Sequence, residues 1–323
     1  MYKKKTCAQF ITDNWISLVP YIIFLLITLI MAVIHPGTLG MRWMANKSDA
    51  AFSLVLVSVG QTFPLITGGF DLSVGGIICV TNSILAVYMG DSAAGIILWT
   101  VICVLIGAGI GVFNGFVIAK TNIQPFIVTL ATQSACLGTA LLILKIDGGR
   151  VAGSFISVLL FRIAGFPVSI FLIALIVIWW LYVKHTKCGM ALYAIGSDEK
   201  AAHLNGISLL KTKVLAYGIS GSFAALAGIF RTAHVASGSP TAGASFVMTS
   251  ISAAVIGGTA ITGGSGGVIG SIVGAFIIRS ITDLLVFMRV SSYWTLLVQG
   301  LLLVFAVALT SYAKLRRKGT VAQ

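Results

Sequence analysis

The chain has 323 residues, of which 58% are hydrophobic and only 9% are charged. Soluble domains carry about 25% charged residues, so this composition excludes a soluble globular protein and requires lipid around the chain. The net charge of +13 comes from basic residues scattered over loops, which indicates the basic bias of membrane-protein loops rather than nucleic-acid binding.

Ten apolar runs predict ten transmembrane helices, because a spanning helix needs ~20 mostly apolar residues. The runs cover residues 16–34, 50–68, 74–90, 94–119, 125–144, 168–183, 214–235, 247–262, 267–286 and 293–312. The basic start of the chain resembles a signal peptide, but no small-residue cleavage site follows it, so we expect an uncleaved first helix. The predicted fold is an all-α membrane protein with one transmembrane domain over residues 1–323.

The distribution of lysine and arginine predicts the orientation of these helices. With the N-terminus in the cytoplasm, the inside loops hold 13 basic residues, namely Lys3, Lys4, Lys5, Lys120, Lys184, Lys187, Lys200, Lys211, Lys213, Lys314, Arg316, Arg317 and Lys318. The outside loops hold six, namely Arg42, Lys47, Lys145, Arg150, Arg162 and Arg289. Cytoplasmic loops are normally the more basic ones, so both termini are predicted to be cytoplasmic.

A faint internal repeat relates the two halves of the chain. Glycines recur at every fourth position in 107–115 and again in 266–274, and each of these predicted helices is followed by a Thr-Leu-x-x-Gln sequence in the next one. The two matches lie five helices apart, and an odd offset reverses the direction across the bilayer. The pattern therefore predicts inverted repeats of five helices, a common transporter design, although such glycine spacing is also frequent by chance.

Asp71 is the most informative polar residue near the apolar runs. It follows Gly68 and Gly69, and Pro64 lies seven residues upstream, so the helix is predicted to break there. A break is tolerated only inside protein or beside a water-filled cavity. Two interpretations stay open: Asp71 and Ser73 cap a broken helix beside a pathway, or Asp71 lies at the membrane interface and only caps the third helix.

Uncharged hydrogen-bonding side chains recur along the predicted helices. The candidates for a substrate pathway are Gln61, Asp71, Ser73, Asn82, Asn114 and Gln133, and Thr62 and Gln299 are of the same kind. Such a set suits a neutral, sugar-like cargo, but interhelical hydrogen bonding is the alternative for any one of them. Arg279 and Asp283 are four residues apart, a spacing that predicts an ion pair on one helix face.

The basic segment 184–213 is the longest interruption of the apolar pattern. Ser197 or Asp198 can cap a short helix and Gly206 can end it. Because a helix of ~8 residues is not stable alone, we interpret this one as a docking element for a soluble partner, against the alternative of a plain connecting loop. Its candidate residues are Gly196, Ser197, Asp198, Glu199, Lys200, Ala201, Ala202 and Gly206.

Several kinds of chemistry have no matching pattern in the sequence. There is no phosphate-binding Gly-x4-Gly-Lys-Ser/Thr loop, no His-Glu-x-x-His motif, and no metal-ligand spacing among the five cysteines. We therefore expect no catalytic residues, no metal and no cofactor in this chain. A membrane-embedded enzyme and an ion-coupled secondary carrier stay as less favoured classes.

Several stretches of the sequence closely resemble the membrane permease subunits of bacterial ATP-binding-cassette importers for monosaccharides of the ribose, arabinose, xylose and galactose type. The resemblance covers almost the whole chain and is carried by 68–75 (Gly-Gly-Phe-Asp-Leu-Ser-Val-Gly), 113–120, 125–130, 194–202, Gly206-Ile207 and 254–258. Phe70 departs from the Ile or Val usual in that family, and 131–136 is more polar than expected, so the cargo stays open. Permeases of this kind for nucleosides or for a furanosyl signalling molecule are the alternative.

The resemblance implies a set of partners. It implies a core of two permease chains, either two copies or one copy and a paralogue, in the bacterial plasma membrane. It implies a cytoplasmic ATPase that holds the ATP and magnesium, and an external solute-binding protein. It also implies that 196–206 is the coupling helix that enters a cleft on the ATPase.

Overall fold

The structure is a computed structural model that describes residues 7–121 and 123–290, with isolated positions 294, 297, 300, 301 and 304. Within the continuous ranges the chain forms α1 (Cys7–Ile34), α2 (Met41–Ile66), α3 (Ser73–Tyr88), α4 (Ala93–Thr121), α5 (Pro125–Ile143), α6 (Gly153–Leu159), α7 (Val168–Lys184), α8 (Lys187–Ser197), α9 (Glu199–Leu204), α10 (Leu209–Val235), α11 (Ala244–Ile256) and α12 (Val268–Phe287). A 3-10 turn (Pro36–Leu39) joins α1 to α2. The antiparallel strands β1 (Arg162–Ile163) and β2 (Phe166–Pro167) form a small hairpin before α7.

The first nine predicted spans each coincide with a helix, and the tenth, 293–312, lies mostly outside the described residues. Four boundaries differ by five residues or more. Helix α1 begins at Cys7 rather than at residue 16, and α10 begins at Leu209 rather than at residue 214. The helix predicted from residue 50 begins at Met41, because polar residues such as Asn46 and Lys47 lower the hydropathy without breaking the helix. The helix predicted to end at residue 262 ends at Ile256, where Gly257 and Gly258 follow.

Five helices of the described residues are long and apolar enough to cross a membrane, namely α2, α4, α5, α10 and α12. The count rises to six if α7 and α8, which meet at an angle of 74°, are taken as one broken span. Three shorter apolar stretches are the part of α1 from Leu18 to Ile34, α3, and α11. The structure is thus that of an all-α, multi-pass membrane protein.

The helices form an inner and an outer layer. Residues from Ala51 to Ile66 of α2 are all buried, as are most residues of α3. The inner helix α10 packs on α2, α3 and α4, while α3 packs on α5 and α11. By contrast, α4 exposes large apolar side chains such as Leu98, Val101 and Leu105, as expected of a helix that faces lipid tails.

Glycine stripes set the closest helix contacts, but they do not pack in equivalent ways. On α4, a Cβ at Gly111 would overlap the carbonyl oxygen of Tyr217 on α10. On α12, a Cβ at Gly274 would overlap the carbonyl oxygen of Ala253 on α11. If the two halves were related by an offset of five predicted helices, the equivalent of α10 would be α2. The stripe on α12 would then pack on α2, whereas it packs on α11. These stripes therefore give the predicted inverted repeat no support, and it stays a prediction.

We expect Gly111→Ala to destabilise the protein, because the new methyl group meets backbone of α10 that no rotamer change can move. Overpacking of this kind costs about 1–3 kcal/mol. Gly109→Ala is the matched control, since Gly109 lies on the same helix and a Cβ there has open space around it. The midpoint of thermal unfolding in detergent should fall for Gly111→Ala only, and equal midpoints would contradict the close α4–α10 contact.

Candidate functional site: a broken helix and the short helices against it

The connection between α2 and α3 is a helix break buried within the protein. Pro64 and Thr67 end α2, and Gly68 turns the chain with a φ of +82°. Asp71, two residues before the start of α3, has no exposed surface. The break therefore lies in protein, where its backbone groups find partners. Asp71 does cap α3, as both interpretations expected, and its role beside a pathway stays a prediction.

Asp71 accepts hydrogen bonds from three donors of the inner helices. Its Oδ1 accepts from the Ser73 amide (3.0 Å) and the Ser73 hydroxyl (2.5 Å), and its Oδ2 accepts from the Ser220 hydroxyl of α10 (2.7 Å). The bond to the amide two residues ahead is an Asx turn, which starts α3 without a side chain from the residue just before the helix. The carboxylate thus joins α3 to α10 at the break.

Two amide side chains complete this cluster. The Asn114 Nδ2 of α4 donates to the Ser73 hydroxyl (3.0 Å). The Gln61 amide of α2, oriented with its nitrogen toward the Asp71 carbonyl, donates to that carbonyl (3.0 Å) and accepts from the Asp71 amide (3.2 Å). We call Gln61, Asp71, Ser73, Asn114 and Ser220 the Asp71 cluster. Four helices meet there, and four of its members were predicted pathway residues.

The two remaining predicted pathway residues lie elsewhere. Asn82 is buried near the opposite end of α3, where it donates to Thr232 of α10 (2.7 Å) and accepts from the amide of Ser239 in the loop after α10. Gln133 lies on α5, is half-buried, and its backbone packs against Gly76. The predicted set is therefore divided between two separate hydrogen-bond clusters and one outer helix.

A second glycine-rich break, between α11 and α12, meets the first one. The Gly264 amide donates to the carbonyl of Ile66, the last residue of α2 (2.9 Å). Gly196 of α8 lies against both, since a Cβ there would overlap the Ile66 carbonyl oxygen. The Tyr193 hydroxyl of α8 also donates to the Gly266 carbonyl (2.7 Å). Helix α8 thus rests directly on the two breaks.

The segment 184–213 contains two helices where a single short one was predicted. Gly196 and Ser197 belong to the last turn of α8 and not to the short helix, where they were expected. Their predicted role in docking stays a prediction. The break falls at Asp198, whose side chain accepts from the Ala201 amide (3.0 Å) and caps α9, as predicted. Gly206 ends the turn after α9 with a φ of +82°, a conformation that glycine adopts at no steric cost.

Helix α9 presents an exposed face and one buried contact. Leu204 is 86% exposed, and Lys200, Ala201 and His203 are exposed beside it, whereas Ala202 is buried. Glu199 turns back to the membrane helices and pairs with Lys213 of α10 (Nζ to Oε1, 2.7 Å). An 86% exposed leucine on a six-residue helix is what a docking surface requires, because such a helix needs a second surface to be stable.

Two cavities open at opposite ends of the bundle. One of about 250 Å³, beside α9, is lined by Gly69, Pro125, Glu199, Lys213 and Tyr217 among others. The other, of about 340 Å³, is lined by Lys47, His234, Arg279, Asp283 and neighbouring residues. Arg279 and Asp283 form the predicted ion pair (3.0 Å).

Sequence analysis missed the partners that α10 supplies. The sequence places Lys213 in a basic inside loop and Tyr217, Ser220 and Thr232 in a spanning helix. Neither spacing nor composition shows which neighbour they face. The one usable signal was the recurrence of polar residues at three- and four-residue intervals in 213–220. That spacing places them on one helix face.

The comparison with known proteins decides the family. Residues 49–307 match the model of a family described as branched-chain amino acid transport system / permease component. The chain belongs to this permease family. The family consists of permease components of transport systems. The sequence-based resemblance to importer permeases is confirmed.

Named relatives of this chain are sugar import permeases. It is 34% identical over 300 residues to the ribose import permease protein of Bacillus subtilis, covering 90% of this chain and 91% of the relative. It is 35% identical over 270 residues to the fructose import permease protein of Bifidobacterium longum (79% and 78%), and 32% identical over 259 residues to the D-allose transport system permease protein of Escherichia coli (79% of each). No solved structure matches the chain.

We expect Asp71→Ala to lower the stability of the permease and its uptake per inserted molecule. The change leaves the buried donors on Ser73 and Ser220 without an acceptor, which costs on the order of 3 kcal/mol. Ser222→Ala is the control, because that hydroxyl bonds only the Gly218 carbonyl of its own helix. If Asp71→Ala melts and transports like the wild type, Asp71 is an exchangeable cap.

Proposed function

We propose that this chain is the transmembrane subunit of an ATP-driven importer and forms the translocation pathway for a monosaccharide. The observation that carries the proposal is the similarity, over most of each chain, to permeases named for ribose, fructose and D-allose. The family description names branched-chain amino acids, so membership in the family leaves the cargo open. The chemistry of the buried residues supports a sugar as the cargo.

The polar residues of the described part favour a neutral cargo. The inner helices carry amides and hydroxyls such as Gln61 and Asn114, and Arg279 and Asp283 pair with each other. The buried Asp71 carboxylate is bound by Ser73 and Ser220 rather than left free for a cargo. A sugar regains from amides and hydroxyls the hydrogen bonds that it loses with water. An ionic cargo would need an opposite charge, because an unpaired ion in an apolar passage is heavily penalised.

We place the pathway beside α5, where a second copy of the chain or a paralogue would pack. Both ends of α5 expose large apolar side chains such as Ile127 and Leu142. Between residues 131 and 139 the exposed positions are all small or polar, namely Ala131, Ser134, Ala135, Gly138 and Thr139. Small residues on a membrane helix permit close helix packing. Gln133 adjoins this face and is the one predicted pathway residue that is not fully buried, whereas the Asp71 cluster and Asn82 support the pathway from behind.

The proposed ATPase contact is the exposed face of α9. Leu204, Lys200 and His203 form it, and Asp198 and Glu199 fix the helix to the rest of the chain. The partner ATPase would bind ATP and magnesium, and this chain would perform no bond chemistry. An external solute-binding protein would deliver the cargo at the opposite end of the bundle. The chain would be a multi-pass protein of the inner membrane with both termini in the cytoplasm.

The direct test is uptake into proteoliposomes that contain the permease, its ATPase and the binding protein encoded beside them. We expect uptake of a labelled pentose or hexose that requires ATP and each partner. Ribose, fructose, allose and a nucleoside form the sugar arm, and leucine forms the amino-acid arm. Uptake of leucine and of no sugar would overturn the proposed sugar cargo. Uptake driven by an ion gradient without the ATPase would favour a secondary carrier.

The orientation can be tested with a thiol that the chain already carries. Cys188 is exposed on α8, so in a Cys7→Ala variant it should react in whole cells with permeant maleimides only. In a Cys188→Ala background, Asp91→Cys at the opposite end should react with impermeant maleimides too. The buried Cys79, Cys103 and Cys136 are expected to stay unlabelled. Labelling of Cys188 by the impermeant reagent would reverse the orientation and exclude α9 as an ATPase contact.

A further inference from the structure

Three polar side chains of α10 lie on one face of that helix. Lys213, Tyr217 and Ser220 are spaced by four and three residues, which places them one above another. At 1.5 Å per residue the row extends for about 10 Å along the helix axis. Its lower end lies at α9 and its upper end at Asp71.

The lower end of the row is the ion pair between Lys213 and Glu199, the first residue of α9. The two atoms are 2.7 Å apart, and the lysine side chain is only 13% exposed, against 45% for the glutamate. Because α9 is too short to hold its position alone, it depends on its neighbours, and this pair links it directly to α10 beside its contacts with α8.

The upper end of the row holds two successive residues of the α2–α3 break. The Tyr217 hydroxyl donates to the Phe70 carbonyl (3.3 Å), and the Ser220 hydroxyl donates to Asp71 (2.7 Å). Gly69 permits the first contact, since a Cβ there would overlap the Tyr217 hydroxyl. One face of α10 therefore binds α9 below and the break above.

The two sides of α10 next to this row are packed differently. On its far side, α10 packs on α4 with almost no separation, because Gly111 and Gly115 lie against the carbonyls of Tyr217 and Lys213. On its near side, the 250 Å³ cavity borders Glu199, Lys213, Tyr217 and Gly69. The α4–α10 pair is thus stiff, whereas the side that faces α9 and the break has free space.

We propose that Lys213 and Tyr217 are positioning residues that transmit the movement of α9 to the Asp71 cluster. Displacement of α9 by the ATPase would pull Lys213, and α10 would shift the break through Tyr217 and Ser220. The inference rests on the proposed function, since it requires that α9 bind an ATPase. It assigns a role to Lys213 and Tyr217 that their sequence context did not suggest.

A charge-swap cycle tests the lower contact, with sugar transported per ATP hydrolysed as the measured quantity. Glu199→Lys and Lys213→Glu should each lower this ratio about three- to tenfold, the range expected for single residues of a coupled network. The double variant, which restores an ion pair, should return to within about twofold of the wild type. Lys211→Glu, an exposed neighbour on α10, should leave the ratio unchanged.

Tyr217→Phe tests the upper contact with the smallest possible change. It removes the hydroxyl that holds the Phe70 carbonyl and should lower the same ratio, while the variant still binds the ATPase. Tyr182→Phe is the matched control, because Tyr182 is 73% exposed on α7. Wild-type ratios for Tyr217→Phe and for both charge reversals, or a charge-swap variant as impaired as the single ones, would overturn the proposal.

Two further measurements separate this proposal from the proposed function. The wild-type complex must first show ATP-dependent uptake, and its absence would refute the function and not this mechanism. Leu204→Glu, on the exposed face of α9, should abolish co-purification of the ATPase, whereas the α10 variants should retain it. If the α10 variants also lost co-purification of the ATPase, Lys213 and Tyr217 would be docking residues. That result would overturn their proposed role in transmitting movement.

Discussion

The need to satisfy backbone polar groups inside the membrane determines the organisation of this protein. A helix that breaks in lipid leaves amides and carbonyls without partners, and each one costs several kcal/mol. The α2–α3 break is stable because Asp71 accepts from Ser73 and Ser220 and because Gln61 binds the Asp71 backbone. To supply those partners, α2, α3, α4 and α10 must meet around one carboxylate. The inner layer of the fold follows from that condition.

The same break connects the membrane helices to the short helices at one end of the bundle. Gly264 and Gly196 pack against the end of α2, and Tyr193 of α8 bonds the second break. Glu199 then ties α9 to α10. A partner that moves α8 and α9 thus acts on chain segments that lack regular helix and are the easiest to rearrange. This arrangement suits the proposed function, in which a soluble ATPase would change the shape of a membrane-embedded pathway.

The buried polar residues serve two purposes that sequence inspection could not separate. Gln61, Asn114 and Ser73 bind one another or Asp71 and hold the break together, so their hydrogen-bonding capacity is largely used within the chain. The Oδ1 atom of Asn114 is buried without a partner among the described residues. Under the proposed function, contact with cargo would fall instead to surfaces that a second chain would cover, such as the face of α5 next to Gln133.

The sequence by itself determined the class and the approximate places of the long apolar helices, because lipid demands long apolar runs and the run pattern is local. It predicted neither α6 nor the division of 184–213 into α8 and α9. It also located the break at Asp71 and the cap at Asp198, since glycine, proline and short acidic side chains act on their immediate neighbours. Only the tertiary structure decided that Asp71 is buried, that Asn82 belongs to another cluster, and that 196–197 end a separate helix. It alone paired Lys213 with Glu199 and Tyr217 with Phe70, because those contacts join residues 14 and 147 positions apart. Which face of α10 meets which neighbour depends on tertiary packing, and neither hydropathy nor local helix propensity specifies it.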